Sequence, residues 1–192
     1  MAGERDRLGE KIKATGNAAA NQWASKRDSE LLAAMNRKAR ERAAQERKEG
    51  RKPRAFNRIL CPIDFGKNSL KVLALAKQIA SENEAELYVL HVCPSILVPL
   101  GGAITNKPAA EKDARDKLAQ TAAKHLTDVA HELMVTSGDA AERVINAQSA
   151  LNIDLIVMGT HGRRGVPRFF LGSVAERVVR EAGCPVLTMR GE

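Results

Sequence analysis

From Phe56 onward the sequence alternates short apolar runs with stretches of helical periodicity, and this alternation limits the possible folds more than any other feature. Five apolar runs have the length and composition of strands: 58–64, 86–92, 133–135, 154–158 and 185–189. Four stretches carry apolar residues at helical spacing: 69–82, 108–126, 140–151 and 173–182. The start of the third strand, near Val129, is left open. This order predicts an α/β fold, an open five-stranded parallel sheet with helices on both faces.

Two connections in this pattern are unusual. Residues 94–107 carry two prolines and two glycines, so we expect a loop with little regular structure. Its length is typical of a functional or mobile loop rather than a plain connector. The second connection, residues 159–173, contains four glycines and three arginines.

Glycines at 159–173 let the backbone approach a ligand closely and adopt positive φ. Successive backbone N–H groups can then form a nest for an anion. The helix beginning near Gly172 and Ser173 would point the positive end of its dipole at the same place. The stretch therefore predicts a site for the phosphates of a nucleotide. Arg163 and Arg164 could add charge there or could point to solvent.

Three strand ends are expected to meet beside this loop, because open α/β sheets bind ligands beyond the C-terminal ends of their strands, where the strand order reverses. Asp64 ends the first strand, and its carboxylate could accept hydrogen bonds from ribose hydroxyls or a base amine. The backbone near Val92 could contact the edge of an adenine. Gly159 ends the fourth strand and begins the phosphate loop. Asp64 could instead cap the helix that follows it.

Spacing excludes two common phosphate motifs. A Walker A loop requires G-x-x-x-x-G-K-[ST], but the Gly66–Lys67 pair has Cys61 in place of the first glycine and Asn68 after it. A dinucleotide-binding fingerprint requires G-x-G-x-x-G after the first strand. Here the glycines follow the fourth strand with the spacing G-x-x-G-x-x-G. A mononucleotide is therefore the better expectation.

The spacing does resemble a known signature. Gly159-Thr160-His161-Gly162, followed after nine residues by Gly172-Ser173, is similar to the G-x2-G-x9-G-[ST] pattern of the ATP-binding branch of the universal stress protein family. Residues 59–64 (ILCPID), 90–92 (LHV) and 184–187 (CPVL) resemble that family's first strand, the end of its second strand and its last strand. The resemblance covers about residues 56–190.

The resemblance implies that the first two strand ends contact adenosine and that the glycine signature holds ribose and phosphates. The implied nucleotide-binding residues are Pro62, Ile63, Asp64, Val92, Met158, Gly159, Gly162, Arg163, Gly172, Ser173 and Val174. It also implies ATP with Mg²⁺ as the ligand, the strand order 3-2-1-4-5, and a homodimer formed through the last strand, residues 185–190. An apolar edge strand does invite such pairing.

Residues 1–54 match no part of that pattern and are predicted to be a basic helical or partly disordered extension, separate from a nucleotide-binding domain at 55–192. Residues 1–55 hold 15 Lys/Arg and 8 Asp/Glu, so most of the net charge of +8 lies there. Leu32, Met35 and Ala39 fall near one helical face that could dock on a partner, a second subunit, a membrane surface or nucleic acid. Nucleic acid is disfavoured, because Trp23 is the only aromatic residue before Phe56.

The remaining features concern location and chemistry. The three cysteines follow no metal-ligand spacing and lie at the edges of apolar runs, which favours reduced, half-buried thiols and a cytoplasmic protein. No apolar run approaches the ~20 residues that a membrane span needs. The sequence shows no nucleophile elbow, Cys-His arrangement or acid pair. The function expected is that of an ATP-binding stress-response regulator or interaction module. A dimeric interaction protein acting through its basic N-terminal helix, or a slow ATPase, is the alternative.

Overall fold

The computed structural model describes residues 26, 29–38, 40–41, 44–45, 55–66, 68–94, 107–160 and 172–190. Five strands lie in this part of the chain: β1 (Arg58–Ile63), β2 (Glu86–Pro94), β3 (His131–Gly138), β4 (Leu155–Gly159) and β5 (Val186–Met189). Four helices follow β1 to β4 in turn: α1 (Ser69–Asn83), α2 (Lys107–His125), α3 (Ala140–Leu151) and α4 (Ser173–Glu181).

The strands form one parallel sheet in the order β3-β2-β1-β4-β5, which confirms both the predicted α/β class and the predicted strand order. The order of the strands reverses between β1 and β4, because β2 and β3 are added on one side of β1 and β4 and β5 on the other. All strands run the same way, so their C-terminal ends share one edge of the sheet, which we call the carboxyl edge.

Apolar side chains cover both faces of the sheet. On one face, Ile59 and Cys61 of β1 pack with Leu73 of α1 and Leu118 of α2. On the other face, Leu60 packs with residues of α3 and α4. Successive side chains of a strand point to opposite faces. A central strand covered on both faces is therefore apolar throughout, which is the pattern seen in β1 and β4.

The boundaries differ from the sequence prediction at several points. β3 begins at His131 and reaches Gly138, well beyond the three residues predicted, because only two of its eight residues are buried and polar residues at both ends interrupt the apolar run. β2 extends to Pro94, and Lys107 already belongs to α2, so the predicted loop is shorter by those residues; positions 95–106 lie outside the described residues. The helix α3 has the predicted bounds, and Asp139 caps it by accepting a hydrogen bond from the Glu142 N–H.

The N-terminal segment 29–38 is helical and packs on the face covered by α3 and α4. Met35 is buried in that face's core, with Leu32 packed beside it. The Asn36 side-chain amide donates to the Ala150 carbonyl at 2.5 Å, and Lys38 pairs with Glu132 of β3. The apolar stripe predicted from the sequence therefore contacts the chain's own sheet face, while Ala39 lies outside the described residues. The division of the chain at 54/55 stays a prediction.

Among the residues described, no helix combines the length and the hydrophobicity that crossing a membrane requires.

Candidate functional site

The carboxyl edge between β1 and β4 is where the strand order reverses, and open α/β sheets bind ligands in a crevice at such a point. β1 pairs with β2 along all six of its residues, from Arg58 to Ile63. Its pairing with β4 covers only Ile59 and Leu60, opposite Leu155 and Ile156. The hydrogen-bonded ladder between β1 and β4 therefore stops after Leu60, although continuing the register would bring Ile63 level with Gly159.

Pro62 supplies a physical reason for the end of this ladder. The Arg58 carbonyl accepts from the Asp154 N–H, so the backbone groups of Arg58 face β4. Backbone groups in a strand face alternate sides, so those of Leu60 and Pro62 also face β4. Proline has no N–H to donate, so the ladder between β1 and β4 cannot continue through it. On the β2 side, Pro62 stays in register with Leu90.

Asp64, directly after β1, organises the turn into α1. Its Oδ1 accepts hydrogen bonds from the Gly66 N–H at 2.9 Å and from the Ser69 hydroxyl at 2.5 Å. The Asp64 N–H donates in turn to Ser69 Oγ at 3.3 Å. Asn68 is the N-cap of α1 and makes no side-chain cap bond. Asp64 therefore organises the turn before α1 and does not itself cap the helix, and it lies half-buried after the end of β1.

Gly66 is required by this turn. A Cβ at this position would lie 3.0 Å from Asp64 Oδ1 and 3.2 Å from Oδ2. A larger residue would thus press on the carboxylate that the turn is built around. The neighbouring Phe65 adopts a left-handed backbone conformation with φ of 59°. For a non-glycine residue this conformation costs about 1–2 kcal/mol, so other contacts must hold it.

The contacts of Phe65 lead to His91. The two rings lie 4.3 Å apart between centroids, at an interplanar angle of 39°. His91 is buried near the end of β2, and its Nδ1 lies 2.8 Å from the Ile63 carbonyl oxygen. His91 is thus a packed core residue. Neither Phe65 nor the His91–Ile63 bond could be read from the sequence, since no periodic pattern marks a left-handed residue or a side-chain bond to a neighbouring strand.

The start and the end of the glycine-rich stretch meet at the carboxyl edge. The Gly172 N–H donates to the Thr160 carbonyl at 2.8 Å, and the Thr160 N–H donates to the Met189 carbonyl at 3.0 Å. Thr160 is buried, although the sequence did not single it out. These bonds bring Gly159, the neighbour of Thr160, close to Gly172 and Ser173.

The helix α4 begins at this closure. Gly172 is its N-cap in an extended conformation, and no side chain caps the first turn. The N–H groups of the first turn of a helix lack partners within the helix, and the dipole there favours an anion. Ser173 and Val174 are exposed in this turn. Gly162 and Arg163 lie outside the described residues, as does the rest of 161–171.

The other predicted site residues divide between edge and core. Val92 on β2 and Pro62 on β1 are both half-buried near the carboxyl edge. Ile63 and Met158 are buried in the cores of opposite sheet faces. The structure brings the ends of β1, β2 and β4 to one edge, and it places the side chains of Ile63 and Met158 in the packing beneath that edge.

The described part of this edge contains few ionisable side chains. Burial raises the pKa of the Cys61 thiol to about 12, so that thiol is un-ionised at neutral pH. The described residues contain no cluster of three His, Cys, Asp or Glu side chains that could hold a metal ion.

The sheet order places the protein in the class of open, doubly wound α/β domains that bind ligands where the strand order reverses. The sequence profile of the Universal stress protein family matches residues 55–190. The chain belongs to the universal stress protein family. Residues 1–54 lie outside the matched region.

Individual relatives agree with this assignment. The chain is 34% identical over 136 residues to a universal stress protein of Thermus aquaticus, a match that covers 70% of this chain and 99% of that protein. It is 33% identical over 142 residues to one of Methanocaldococcus jannaschii, covering 70% and 82%. A solved family structure from Burkholderia pseudomallei is 28% identical, with a TM-score of 0.59 over 72% of this chain and 98% of that one.

Two more distant relatives have been solved in complex with a nucleotide. A universal stress protein in complex with cAMP is 19% identical with a TM-score of 0.55, covering 70% of this chain and 97% of that one. One from Archaeoglobus fulgidus in complex with dAMP is 21% identical with a TM-score of 0.53, covering 70% and 98%. At these identities the likeness shows the fold alone.

Proposed function

We propose that this protein binds an adenine nucleotide, ATP with Mg²⁺, in the crevice between β1 and β4, and acts as a nucleotide-dependent stress-response regulator or interaction module. The observation that carries the proposal is the start of α4 beside the point where the strand order reverses. The β1–β4 ladder stops short of the carboxyl edge there, and the Thr160–Gly172 bond sets the first turn of α4, which no side chain caps, beside the end of β4. A base and ribose would occupy the crevice, and the phosphates would lie at the first turn of α4.

The solved relatives with dAMP and cAMP support an adenine nucleotide at this site. In the proposal, Asp64 and Val92 contact the nucleoside. Gly159, Gly172 and Ser173 surround the phosphates, with Gly162 and Arg163 expected to join them. Mg²⁺ is held mainly by phosphate oxygens. The cytoplasmic location remains a prediction from cysteine usage.

Calorimetric titration of the full-length protein with ATP, AMP and adenosine, each with Mg²⁺, tests this proposal. Asp64→Asn keeps an oxygen for the Gly66 and Ser69 bonds but removes the charge that ribose hydroxyls would contact. We expect ATP affinity to fall about tenfold, since hydrogen bonds to a charged group are roughly twice as strong as neutral ones. Asp128→Asn is the matched control, because Asp128 is exposed and pairs with Lys77 at the opposite edge of the sheet.

Mass spectrometry of the denatured protein, freshly purified from cells, shows whether a nucleotide is carried along. Wild-type protein that neither carries an adenine nucleotide nor binds added ATP would refute the proposal. For the regulatory part, we expect ATP to slow amide hydrogen exchange at 94–108 and 159–172, because ligand contacts order the segments they touch. Equal exchange with ATP, with ADP and without nucleotide would reject switching.

We also propose a homodimer formed through residues 185–190. β5 is the last strand on its side of the sheet, and Leu187 is 40% exposed on it. An edge strand with apolar side chains and free ladder positions favours pairing with a second copy. Light scattering after size exclusion should give a dimer for wild type and a monomer for Leu187→Lys. Leu70→Lys, at a similarly exposed leucine on α1, should remain dimeric; dissociation of both variants would point to a general effect of charge.

The alternative is that the basic N-terminal helix binds a partner. One observation favours a modified version of this alternative. Leu32 and Met35 already contact the sheet face, whereas Arg37 and Arg40 of the same segment are exposed. A partner would therefore meet the outward, charged side of the docked segment rather than its apolar stripe. Such a partner should be lost with Arg37→Glu together with Arg40→Glu and retained with Leu31→Ala.

A further inference from the structure

We propose that His91 is a positioning residue for the nucleoside end of the site, holding the end of β1 against β2 and so fixing Asp64 at the carboxyl edge. This inference rests on the proposed nucleotide function and assigns a role in it to a buried side chain. The carrying observations are the hydrogen bond from His91 to the last residue of β1, the Phe65 ring on the imidazole, and the pairing of β1, which covers six residues on the side of β2 and two on the side of β4.

The hydrogen bond fixes the chemistry of His91. The Ile63 carbonyl can only accept, so the imidazole nitrogen 2.8 Å away, Nδ1, carries the hydrogen and donates it. Ile63 and His91 are also register partners in the β1–β2 ladder. A side chain of β2 thus adds a bond to β1 at the position where β1 ends and the turn through Asp64 begins.

Phe65 completes the anchor. Its left-handed backbone is held in part by packing of its ring against His91, and both lie on the face covered by α1 and α2. Asp64 lies between Ile63, which accepts the His91 bond, and Phe65, which packs on the ring. The backbone of Asp64 is therefore fixed on both sides by the same imidazole.

Pro62 and His91 act on opposite sides of β1. Pro62 removes a donor on the side of β4, and His91 adds a bond on the side of β2. Loss of the His91 bond should let the end of β1 move, which shifts Asp64. The phosphate end, at Thr160 and Gly172, is built from β4, β5 and α4 and should be unaffected.

The test uses full-length protein with His91→Asn and His91→Leu. Asparagine can place an amide N–H near the position of Nδ1 and restore the bond to Ile63, whereas leucine fills the space without a donor. Adenosine, AMP and ATP are titrated by calorimetry, and melting temperatures are measured alongside. We expect His91→Leu to weaken adenosine and ATP by the same factor, about tenfold or more, and His91→Asn to stay within about threefold of wild type.

A purely structural role would give a different pattern. His91→Leu and His91→Asn would then lose affinity in proportion to their melting temperatures, or neither would lose it, and either outcome overturns the proposal. Ser173→Asp, which places charge at the phosphate end, should weaken ATP and spare adenosine, so the two ends are distinguished.

If the wild type binds no adenine nucleotide, the proposed function fails, and the positioning claim is judged separately by amide exchange. Faster exchange at Phe65 and Gly66 in His91→Leu, restored in His91→Asn, supports the anchor. Unchanged exchange in both variants overturns it.

Discussion

Replacing Met35 with alanine tests whether the N-terminal segment is part of the folded unit. Met35 is 9% exposed and packs in the core on the α3–α4 face, with Tyr88 and Met134 in the same cluster. Truncating a buried methionine in a rigid core costs about 2–5 kcal/mol. The segment 29–38 can also undock when its main apolar contact is lost, and the loss of stability then cannot exceed the free energy of docking.

That limit sets the expected magnitude. Leu32 contributes further apolar contact. Asn36 adds two hydrogen bonds, one to the Ala150 carbonyl and one from the Asn152 side-chain amide, and Lys38 adds one surface ion pair. Burial of the Met35 side chain is worth about 1.5–3 kcal/mol, and surface ion pairs contribute less than about 1 kcal/mol. We therefore expect Met35→Ala to lower the free energy of unfolding by about 1–3 kcal/mol. In a chain of this size that lowers the melting temperature by about 3–10 °C.

Urea unfolding followed by far-ultraviolet circular dichroism measures the loss, and hydrogen exchange of the amides at 29–38 shows whether it arises from undocking. Leu31→Ala is the matched control, because Leu31 neighbours Leu32 but is 45% exposed. It should change stability by no more than about 0.5 kcal/mol. Equal stabilities for Met35→Ala and Leu31→Ala would refute the docking.

Three further predictions concern pH, capping and thiol chemistry. Burial raises the pKa of the Cys61 thiol from its ordinary value of 9.0 to about 12, so between these pH values the native state holds a proton that the unfolded state has lost. The free energy of unfolding should therefore fall by about 1.4 kcal/mol per pH unit above pH 9. Tyr88 should steepen the fall, because burial and its hydrogen bond to Glu86 also raise its pKa. A urea midpoint that stays constant from pH 9 to 11 would contradict this prediction. Asp139→Ala should cost about 0.5–2 kcal/mol by removing the cap of α3, and Asp139→Ser should recover most of it; equal losses would argue against capping. A maleimide at pH 7.5 should modify Cys184 alone in the native protein and all three cysteines after denaturation, because Cys61 and Cys93 are buried; rapid native labelling of Cys61 would show that β1 opens.

Local pattern determined the architecture of this protein. Residues close together in the sequence predict each strand and helix, as the apolar run predicts β4 and the Asp139 cap predicts the start of α3. The order of these elements leaves few topologies, because crossovers between parallel strands are right-handed and both faces of such a sheet must be covered. The spacing of Gly159, Gly162 and Gly172, together with the segments 59–64, 90–92 and 184–187, sufficed to identify the family.

The tertiary structure decided what lies at the edge of the sheet and on its face. Neighbouring strands decide the bond from His91 to Ile63, the left-handed Phe65 and the early end of the β1–β4 ladder, and no period of two or 3.6 residues encodes them. The docking of Met35 joins residues about a hundred positions apart. An amphipathic stripe predicts that a helix buries one face. Only the tertiary structure shows which surface that face contacts, because the choice depends on shape and on polar partners such as the Ala150 carbonyl.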